Sequence, residues 1–355
     1  MSRAGVTIIA VSVFALSAGA GQAEGVKVGI SQPISGPNGD YFKRELVNPV
    51  ILAIEEANAK GGVLGQKVEY VIEDHQGNAA TALGVAHKLI EIDHVSMISI
   101  SISPAVLATL PVAEENNVVV MSAAQHPKIA QSPWGFMDTP MSTAFGTAAG
   151  HFAGVELKAA TLGAMLENTD AIRLESAALK KAFESAGGKV VDMETFNTGD
   201  TDYRAQLTKL RAAAPEAIYI EATAPHYDGV VLKQAAELNF QRKYTISGDF
   251  VADRLAREVA GDLVVGIYYP EVEFDRHWSD TVFKPRFGYD ADGFAARSYD
   301  GAAIYLAAVQ KAGTTDPVKV RDTLRHLTDY HGVLGTWGYE GTGAPEMPII
   351  IKQVN

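Results

Sequence analysis

The stretch from Val26 to Gly62 most constrains the fold, because it combines an apolar strand, a turn rich in glycine and proline, and a long amphipathic helix. Val28 and Ile30 alternate with less apolar residues, as in a strand. Apolar residues then recur at helical spacing up to the glycine pair 61–62, a typical helix end. Ligands of open α/β sheets lie at the carboxyl ends of strands, so the loop 31–41 is a candidate binding loop; an ordinary connecting loop is the alternative.

The rest of the chain alternates strand-like and helical patterns, with one break at 132–140. Because the alternation starts afresh after the break, the sequence predicts an α/β protein with two Rossmann-like lobes, each a parallel sheet flanked by helices. No sequence repeat is strong enough to indicate a duplication. Strand-like runs cover 67–73, 95–100, 118–121, 159–165, 189–195, 217–221, 244–247, 263–269, 333–339 and 347–354; helical runs cover 79–90, 105–115, 142–156, 172–186, 203–212, 227–238, 275–287, 294–312 and 317–327.

Residues 1–23 have the three-part layout of a secretory signal peptide: Arg3, an apolar run over 6–18, and small residues that end at Ala23. The apolar run is shorter than the roughly 20 residues that a permanent membrane span needs. We therefore predict cleavage after Ala23 and export of the mature chain. The sequence contains no cysteine, which excludes disulfides, thiolate chemistry and an acylated cysteine anchor.

The length and net charge of the chain bear on its domain count and on the kind of partner it can bind. The 355 residues suit two domains of ordinary size, and the formal net charge is −12. Binding to nucleic acid phosphates requires a basic surface, so we expect no nucleic acid partner.

Enzymatic and metal motifs are missing from the sequence. It contains no GxxxxGK[ST] phosphate loop, no GxSxG elbow, no HExxH and no EF-hand loop. The nine histidines do not follow a metal-ligand spacing. We therefore expect no catalytic residue, no cofactor and no metal. Gly146, Gly150 and Gly154 form a ridge of small residues on one predicted helix, which close helix packing explains.

Four segments carry a family resemblance. They read VKVGISQPISGPNGDY, IEEANAKGGVLGQKVEYVIEDHQGN, LPVAEENNVVVMSAA and HGVLGTWGY, in that order along the chain. They resemble the Leu/Ile/Val-binding proteins, the periplasmic branched-chain amino-acid binding family of ABC importers. The resemblance covers nearly the whole mature chain.

This resemblance implies the type I periplasmic binding protein fold, in which two lobes joined by three crossovers close on a small molecule. The closed form then delivers its ligand to a membrane permease, and the protein is expected to be monomeric. Breaks near 136–141, 269–274 and 330–333 would hold the crossovers. The first lobe would then comprise 26–140 with 273–330, and the second lobe 141–272 with 331–355.

The resemblance also implies binding residues for the polar ends of the ligand. Ser103 matches the serine that holds the ligand's carboxylate together with nearby backbone amides. The second binding loop is one residue shorter than the family pattern, so Ala123, Ala124 and Gln125 share one match. Asp249 falls where the family places the acid that receives the ligand's ammonium; a helix cap or turn aspartate is the alternative.

The resemblance also implies which residues line the pocket for the ligand's side chain. Tyr41 and Phe294 match aromatic wall positions, although either could be a core residue instead. Ala171 and the segment from Ala224 to His226 stand where the family has large aromatic residues. The smaller side chains would leave a larger pocket, or room for a different polar partner such as His226 or Arg173. A bulky or aromatic ligand then becomes as plausible as leucine.

The position of Tyr41 depends on where its helix begins. Pro49 replaces a residue that the family usually has well inside the first helix. With Asn48 as the N-cap and Pro49 as the first helical residue, the helix would start later than the family pattern requires. Such a late start would move Tyr41 out of the helix and away from the predicted pocket wall.

The sequence therefore predicts a periplasmic solute-binding protein that captures a small amino acid or related carboxylate for an ABC permease. One alternative ligand class is an aromatic or other carboxylate, or an amide, without an α-amine. A ligand-sensing receptor domain of the same fold is a further alternative, against which the predicted signal peptide argues. An enzyme on a two-lobed scaffold is the third, and no nucleophile, base or cofactor motif supports it.

Overall fold

The computed structural model describes residues 25–36, 38–248 and 252–355. The predicted signal peptide and the predicted ammonium partner Asp249 lie outside the described residues. Within these described ranges, thirteen strands form two separate sheets and one hairpin. The strands are β1 (Lys27–Gln32), β2 (Glu69–Asp74), β3 (Met97–Ile100), β4 (Val119–Ser122), β5 (Gly135–Met137), β6 (Thr161–Glu167), β7 (Lys189–Phe196), β8 (Ala217–Glu221), β9 (Tyr244–Ser247), β10 (Tyr268–Val272), β11 (Tyr330–Gly332), β12 (Gly335–Trp337) and β13 (Ile349–Gln353).

Helices cover both faces of each sheet, and several continue into short π-helical turns. The α-helices are α1 (Gly39–Phe42), α2 (Asn48–Ala59), α3 (Ala79–His87), α4 (Ser103–Glu115), α5 (Lys128–Gln131), α6 (Ser142–His151), α7 (Asp170–Ser185), α8 (Arg204–Ala213), α9 (Pro225–Glu237), α10 (Arg254–Ala260), α11 (Arg276–Trp278), α12 (Lys284–Phe287), α13 (Gly293–Ala312) and α14 (Pro317–Arg325). The π-helical turns are Lys43–Val47, Lys88–Ile92, Phe152–Glu156 and Ser279–Phe283, and Gly261–Val264 is a 3₁₀ turn. No helix among the described residues is both long and apolar enough to cross a membrane.

The first sheet has the order β2-β1-β3-β4-β5, and all its strands are parallel. The inner strand β1 is buried on both faces: Val28 and Ile30, on one face, have no exposed surface, and Ser31, on the other face, is 1% exposed. Burial on both faces explains why the central strands read as nearly continuous apolar runs. The second sheet has the order β13-β10-β9-β8-β6-β7, with β13 antiparallel to β10 and the other pairs parallel. The predicted pair of α/β lobes is therefore confirmed.

The first helix begins earlier than the Pro49 alternative allowed. Its helical backbone runs from Gly39 through the π-helical turn to Ala59, so Tyr41 lies inside it. Pro49 has no N–H to donate to the carbonyl four residues earlier, which would leave a gap in an α-helical ladder. The π-helical turn directly before it absorbs this gap, and the N–H of Asn48 bonds to the carbonyl of Lys43 instead.

The glycine pair at the end of α2 stops the helix, as predicted. The N–H groups of Gly61 and Gly62 bond to carbonyls of the last helical turn. Gly62 has φ +78°, and a Cβ added to it would lie 1.9 Å from the carbonyl oxygen of Gln66. Only glycine fits there without moving the backbone.

The hairpin of β11 and β12 belongs with the first lobe. The carboxylate of Asp300, on α13, accepts hydrogen bonds from Val333 N, Leu334 N and Trp337 Nε1 at 2.9, 2.9 and 3.0 Å. The chain remains against the first sheet up to Ala344, which packs in that lobe's core. The sequence-based division assigned 331–355 to the second lobe, but only β13 joins the second sheet.

Three connections thus link the lobes, after β5, after β10 and before β13. The third connection follows Ala344, later than the break predicted at 330–333. The strand predicted over 263–269 is also shifted, to Tyr268–Val272. Gly261 and Gly266 have φ of +62° and +84°, which interrupts extended backbone between them.

The glycine ridge predicted on one helix packs against α7. A Cβ at Gly146 would lie 2.1 Å from the carbonyl oxygen of Glu175, and one at Gly150 would lie 2.3 Å from that of Leu179. The two helix backbones therefore approach closely along this ridge. That contact fixes the position of α7, whose first turns face the space between the lobes.

Candidate functional site

A cavity lies between the carboxyl ends of the two sheets. Its volume is about 80 Å³. The first lobe contributes one wall and the second lobe the other. Seven of the ten predicted binding residues line it: Tyr41, Ser103, Ala123, Ala124, Gln125, Ala171 and Phe294.

The wall from the first lobe is apolar and aromatic. The rings of Tyr41 and Phe294 meet edge to face with centroids 6.3 Å apart, and Phe42 packs on Tyr41 at 5.5 Å. Leu46 and Ala123 complete this buried cluster. Tyr41 and Phe294 therefore have both positions considered for them: they are buried in a core cluster, and they also line the cavity. The hydroxyl of Tyr41 donates to Asp292 Oδ2 at 3.3 Å.

Ser103 lies at the first residue of α4, beside the cavity. The start of a helix presents N–H groups and the positive end of the helix dipole, which favour an anion. Ile102, directly before it, has φ +66°, a strained conformation for a β-branched residue. The strained residue lies at the cavity, where it sets the direction in which α4 departs from β3.

The loop after β4 brings Ala123, Ala124 and Gln125 to the cavity. The N–H of Ala123 donates to the carbonyl of Ile100 at 3.2 Å, and that of Ala124 donates to Ser122 Oγ at 3.0 Å. Both alanine amides are thus used in holding the loop. The shared sequence match over these three residues stays a prediction.

Two glutamates line the cavity from the second lobe, and the sequence reasoning did not select either. Glu221 ends β8, and Glu175 lies on α7 one turn after Ala171. Both side chains are buried, at 7% and 3% exposure. The hydroxyl of Tyr219 lies between them, 2.5 Å from Glu175 Oε1 and 2.8 Å from Glu221 Oε2.

At this end of the cavity, one tyrosine hydroxyl lies within hydrogen-bond distance of two carboxyl groups. Burial raises the pKa of Tyr219 well above its ordinary value, so the hydroxyl keeps its proton. Two buried carboxyl groups thus approach the same hydroxyl oxygen. Such an acidic second-lobe wall is complementary to a cationic or hydrogen-bond-donating group.

Thr223 adds a hydroxyl to the same wall. Its N–H and Oγ1 both donate to Glu167 Oε2, at 2.7 and 2.6 Å. Glu167 ends β6, so these bonds tie the loop after β8 to the neighbouring strand. On the other lobe, Ser101 lines the cavity and donates to Gln32 Oε1 at 2.6 Å.

A second and wider cavity adjoins the first. The two share lining residues such as Ser103, Ala171 and Thr223. Ala224 and Arg173 line this wider cavity, and the guanidinium of Arg173 donates to Asn168 Oδ1 at 2.7 Å. His226 lines neither cavity; its ring meets that of Tyr227 at 6.0 Å.

Glu221 could have been found from the sequence, because it is the last residue of a predicted strand, and ligand-binding residues of such sheets lie at the carboxyl ends of strands. Glu175 carries a weaker signal. It occurs in a predicted helix among other charged residues, and only the packing of α7 on the glycine ridge turns it inward.

Three carboxylates also cluster beside the cavity: Glu45, Asp253 and Asp292 each place one oxygen within 4.8 Å of the others. The guanidinium of Arg44 donates to Glu45 Oε1 at 2.7 Å and to Asp253 Oδ2 at 3.1 Å. Arg44 thus already supplies a cation to this cluster.

Comparison with known proteins agrees with this architecture. A family model described as Periplasmic binding protein matches residues 25–355. The chain belongs to the periplasmic binding protein family.

Individual members of the periplasmic binding protein family match over nearly the full chain. The Leu/Ile/Val-binding protein homolog 1 of Brucella abortus is 27% identical over 355 residues, covering 97% of this chain and 93% of that protein. A leucine binding protein from Thermotoga maritima has a similar structure, with a TM-score of 0.86, 25% identity, and coverage of 93% of this chain and 95% of that one. A solute binding protein from Rhodopseudomonas palustris, solved with 3,4-dihydroxybenzoic acid, has a TM-score of 0.84 at 21% identity and covers 93% of each chain.

Proposed function

We propose that this periplasmic binding protein captures a small amino acid or a related carboxylate between its lobes and delivers it to the permease of an ABC importer. One observation carries the proposal. The cavity sets a helix start and a serine hydroxyl on one side against two buried glutamates on the other. A zwitterion is the small solute whose two charges match such a pair of walls.

The ligand's carboxylate would lie at Ser103 and the start of α4. Its ammonium would lie toward Glu175 and Glu221, where a buried cation would offset the desolvation of the acids. Its side chain would pack on the aromatic wall of Tyr41 and Phe294, in the way that most small-molecule sites combine an apolar lining with few polar anchors. The names of the Brucella and Thermotoga relatives support an aliphatic amino acid.

An aromatic carboxylate is the second candidate. It is favoured by the small side chain of Ala171 at the junction of the two cavities, and by Ala224 in the wider one, where large aromatic residues were expected. A ring could occupy the space that those residues leave. The Rhodopseudomonas neighbour is bound to such a compound, although its identity of 21% supports only a common fold.

The cellular setting is part of the proposal. Export through the predicted signal peptide 1–23 would deliver a monomer to the periplasm, with a membrane permease as its partner and without nucleic acid, cofactor or catalysed reaction. Asp249 remains a predicted ammonium partner, and Ala224 and His226 remain predicted pocket residues.

Thermal shift followed by calorimetry tests the proposal. Protein freed of bound solute by unfolding and refolding would be titrated with L-leucine, with 4-methylpentanoate, which is leucine without its amine, and with 4-hydroxybenzoate. A ligand that binds only the folded state raises the melting temperature. Stabilisation by at least leucine or 4-hydroxybenzoate is expected. Absence of any response across these and a full set of amino acids and aromatic carboxylates would overturn the proposal.

A further inference from the structure

Beyond ligand capture, the contact between the lobes beside the cavity has its own chemistry. We propose that it is a proton-linked clasp: when Asp253 of the second lobe docks on Glu45 and Asp292 of the first, a proton is held between the two first-lobe carboxyl groups, so that acid favours the closed form. The inference rests on the proposed closure of the lobes, but on no particular ligand.

The clasp joins the first helix of one lobe to α10 of the other. The guanidinium of Arg44 reaches Asp253 at 3.1 Å, and that of Arg254 reaches Asp40 at 2.9 Å. Asp253 also caps α10 by accepting from Leu255 N at 2.7 Å. Any opening that moves α10 away from the first helix breaks both inter-lobe ion pairs.

The buried part of the clasp has more acids than bases. Glu45 and Asp253 are 1% and 8% exposed, and their oxygens lie within 4.8 Å of an oxygen of Asp292. Arg44 donates to Glu45 and Asp253, whereas Arg254 donates to Asp40 at the exposed edge of the cluster. Three carboxyl groups thus face the guanidinium of Arg44 and the charge of Arg297, which acts on Asp292, so full ionisation would leave more negative than positive charges.

A proton between Glu45 and Asp292 removes one of those charges. Among the described residues, no donor reaches Glu45 Oε2, which is buried. One oxygen of Glu45 and one oxygen of Asp292 nevertheless lie within 4.8 Å of each other. Two carboxyl groups this close can share a hydrogen bond only when one of them carries the proton.

The directions of the pKa shifts of Glu45 and Asp292 agree with this geometry. Burial, and then the charge of Asp292, raise the pKa of Glu45 well above its ordinary value, while Arg44 opposes the rise. Burial raises the pKa of Asp292 from 3.8 to about 6, and the charge of Asp253 adds to it. The charge of Asp253 contributes only while the lobes are in contact, so the closed form binds more protons than the open form between about pH 4 and 6.

Other charged and titratable groups face this cluster from each packed element. Arg297, on α13, lowers the pKa of Asp292 through its positive charge, and the hydroxyl of Tyr41 donates to the same carboxylate. The hydroxyl of Tyr289 donates to the carbonyl of Arg44 at 2.8 Å. These groups stabilise the ionised form or remain neutral, and the desolvation of Asp292 outweighs them.

The clasp touches the ligand cavity through one side chain. Tyr41 lines the cavity, donates to Asp292, and lies under the guanidinium of Arg44 at 5.9 Å. A ligand that orders Tyr41 therefore also orders the acceptor in the clasp. Protonation of the clasp and ligand binding should favour each other.

The closed population of the ligand-free mature protein tests the clasp directly. Because the chain has no cysteine, Ser35→Cys and Asn197→Cys, one exposed residue on each lobe, can carry a label pair whose separation reports closure. We expect the short-distance population to rise at least about threefold from about pH 8 to about pH 5.5. In Glu45→Gln, an isosteric amide that can donate to Asp292 at any pH, the population should be high and independent of pH.

A matched control separates the clasp from another buried acid near a connection between the lobes. Asp138→Asn removes a carboxyl group whose pKa burial raises to about 7, and it should keep the pH response. A population that does not change with pH, or that changes equally in Glu45→Gln, would overturn the inference. Closure induced by calcium at about pH 8 but not by acid would replace the proton with a metal ion. Because no solute is added, these results are independent of whether the ligand proposal holds.

Discussion

Under the proposed function, Glu221 and Glu175 decide which solute fits the cavity. Both are buried and share the hydroxyl of Tyr219, whereas the opposite wall offers the hydroxyl of Ser103 and the start of α4. Amine recognition by these two acids would set leucine apart from its deaminated analogue. Each end of the ligand can therefore be tested with one substitution.

Glu221→Gln should weaken the binding of L-leucine by about 1–3 kcal/mol, because it removes a charge that faces the ligand's ammonium and keeps the shape of the side chain. Calorimetry with leucine and with 4-methylpentanoate measures the contrast, since the amine-free acid should lose little. Glu194→Gln, on the same lobe but paired with Lys209 away from the cavity, is the control. Equal losses for the two ligands would contradict an amine contact at Glu221.

Ser103→Ala tests the other end of the ligand. Loss of the hydroxyl should weaken leucine and 4-methylpentanoate alike by about 1–3 kcal/mol, because both carry the carboxylate. Affinities are again measured by calorimetry. Unchanged binding of both carboxylates would mean that the anion lies elsewhere in the cavity.

At the residue scale, more of the predicted binding residues lie on the first-lobe wall of the cavity than on the second. Tyr41, Ser103 and Phe294, which the family resemblance implied as binding residues, line the cavity, and their part in binding stays a prediction. Glu175 escaped notice because a glutamate in an amphipathic helix normally faces solvent. Its inward position depends on how closely α6 and α7 approach, and sequence periodicity alone does not determine that distance.

Helix α7 carries Ala171 and Glu175 into the cavity, and the glycine ridge of α6 determines where α7 lies. Gly146 contacts the backbone of Glu175 itself, so the ridge and the site are coupled through a single helix. The sequence predicted the ridge and its packing role. It could not indicate the partner helix, because glycine spacing does not identify the opposing surface.

Gly146→Ala should lower the free energy of unfolding by about 1–3 kcal/mol, since the added Cβ overlaps the carbonyl of Glu175 and forces the helices apart. Leucine binding should also weaken, because Glu175 moves with its backbone. Urea denaturation and calorimetry measure the two effects. Gly84→Ala, in α3 with nothing within 4 Å of the added Cβ, should instead be neutral or stabilise by up to about 1 kcal/mol. A Gly146→Ala variant as stable as the parent would contradict the close approach.

The first helix shows where local rules mislead. Pro49 suggested a late start with Asn48 as cap, which is the usual meaning of proline near a helix N-terminus. The structure instead continues the helix back to Gly39 through a π-helical turn, because Tyr41, Phe42 and Leu46 bury their side chains together. Tertiary packing of that apolar face outweighs the local preference.

At the scale of the whole molecule, βαβ alternation was sufficient to predict two parallel lobes. The placement of the last crossover was not predictable in the same way. The hairpin of β11 and β12 stays on the first lobe because Asp300 accepts three hydrogen bonds from it across more than 30 residues of sequence. A hydrogen bond between residues so far apart leaves no periodic signal.

Buried acids distributed over the first lobe make its stability depend on pH. Burial raises the pKa of Asp138 from 3.8 to about 7 and that of Asp300 from 3.8 to about 6. Between the ordinary and raised values the native state binds more protons than the unfolded chain, so stability falls as pH rises through that window. His75, whose pKa burial lowers from 6.5 to about 4, acts in the opposite direction below its ordinary value.

The free energy of unfolding should therefore fall by on the order of 2 kcal/mol between about pH 5 and about pH 8, because more carboxyl groups than imidazoles are shifted. Urea denaturation across this range measures it. Asp138→Asn should flatten the upper part of the curve, between about pH 6 and pH 8, because Asp138 has the highest pKa of these three groups. Stability that rises steadily with pH would contradict the burial of these acids as ionisable groups.

Native mass spectrometry of the mature protein, equilibrated with a mixture of amino acids and aromatic carboxylates, tests the central claim most directly. We predict one small molecule per chain, with the mass of an amino acid or a carboxylate, and its loss in Ala171→Trp, which fills the cavity between the lobes. A chain that remains unliganded in the mixture, or a complex that persists unchanged in Ala171→Trp, would contradict the assignment of this cavity as the solute site.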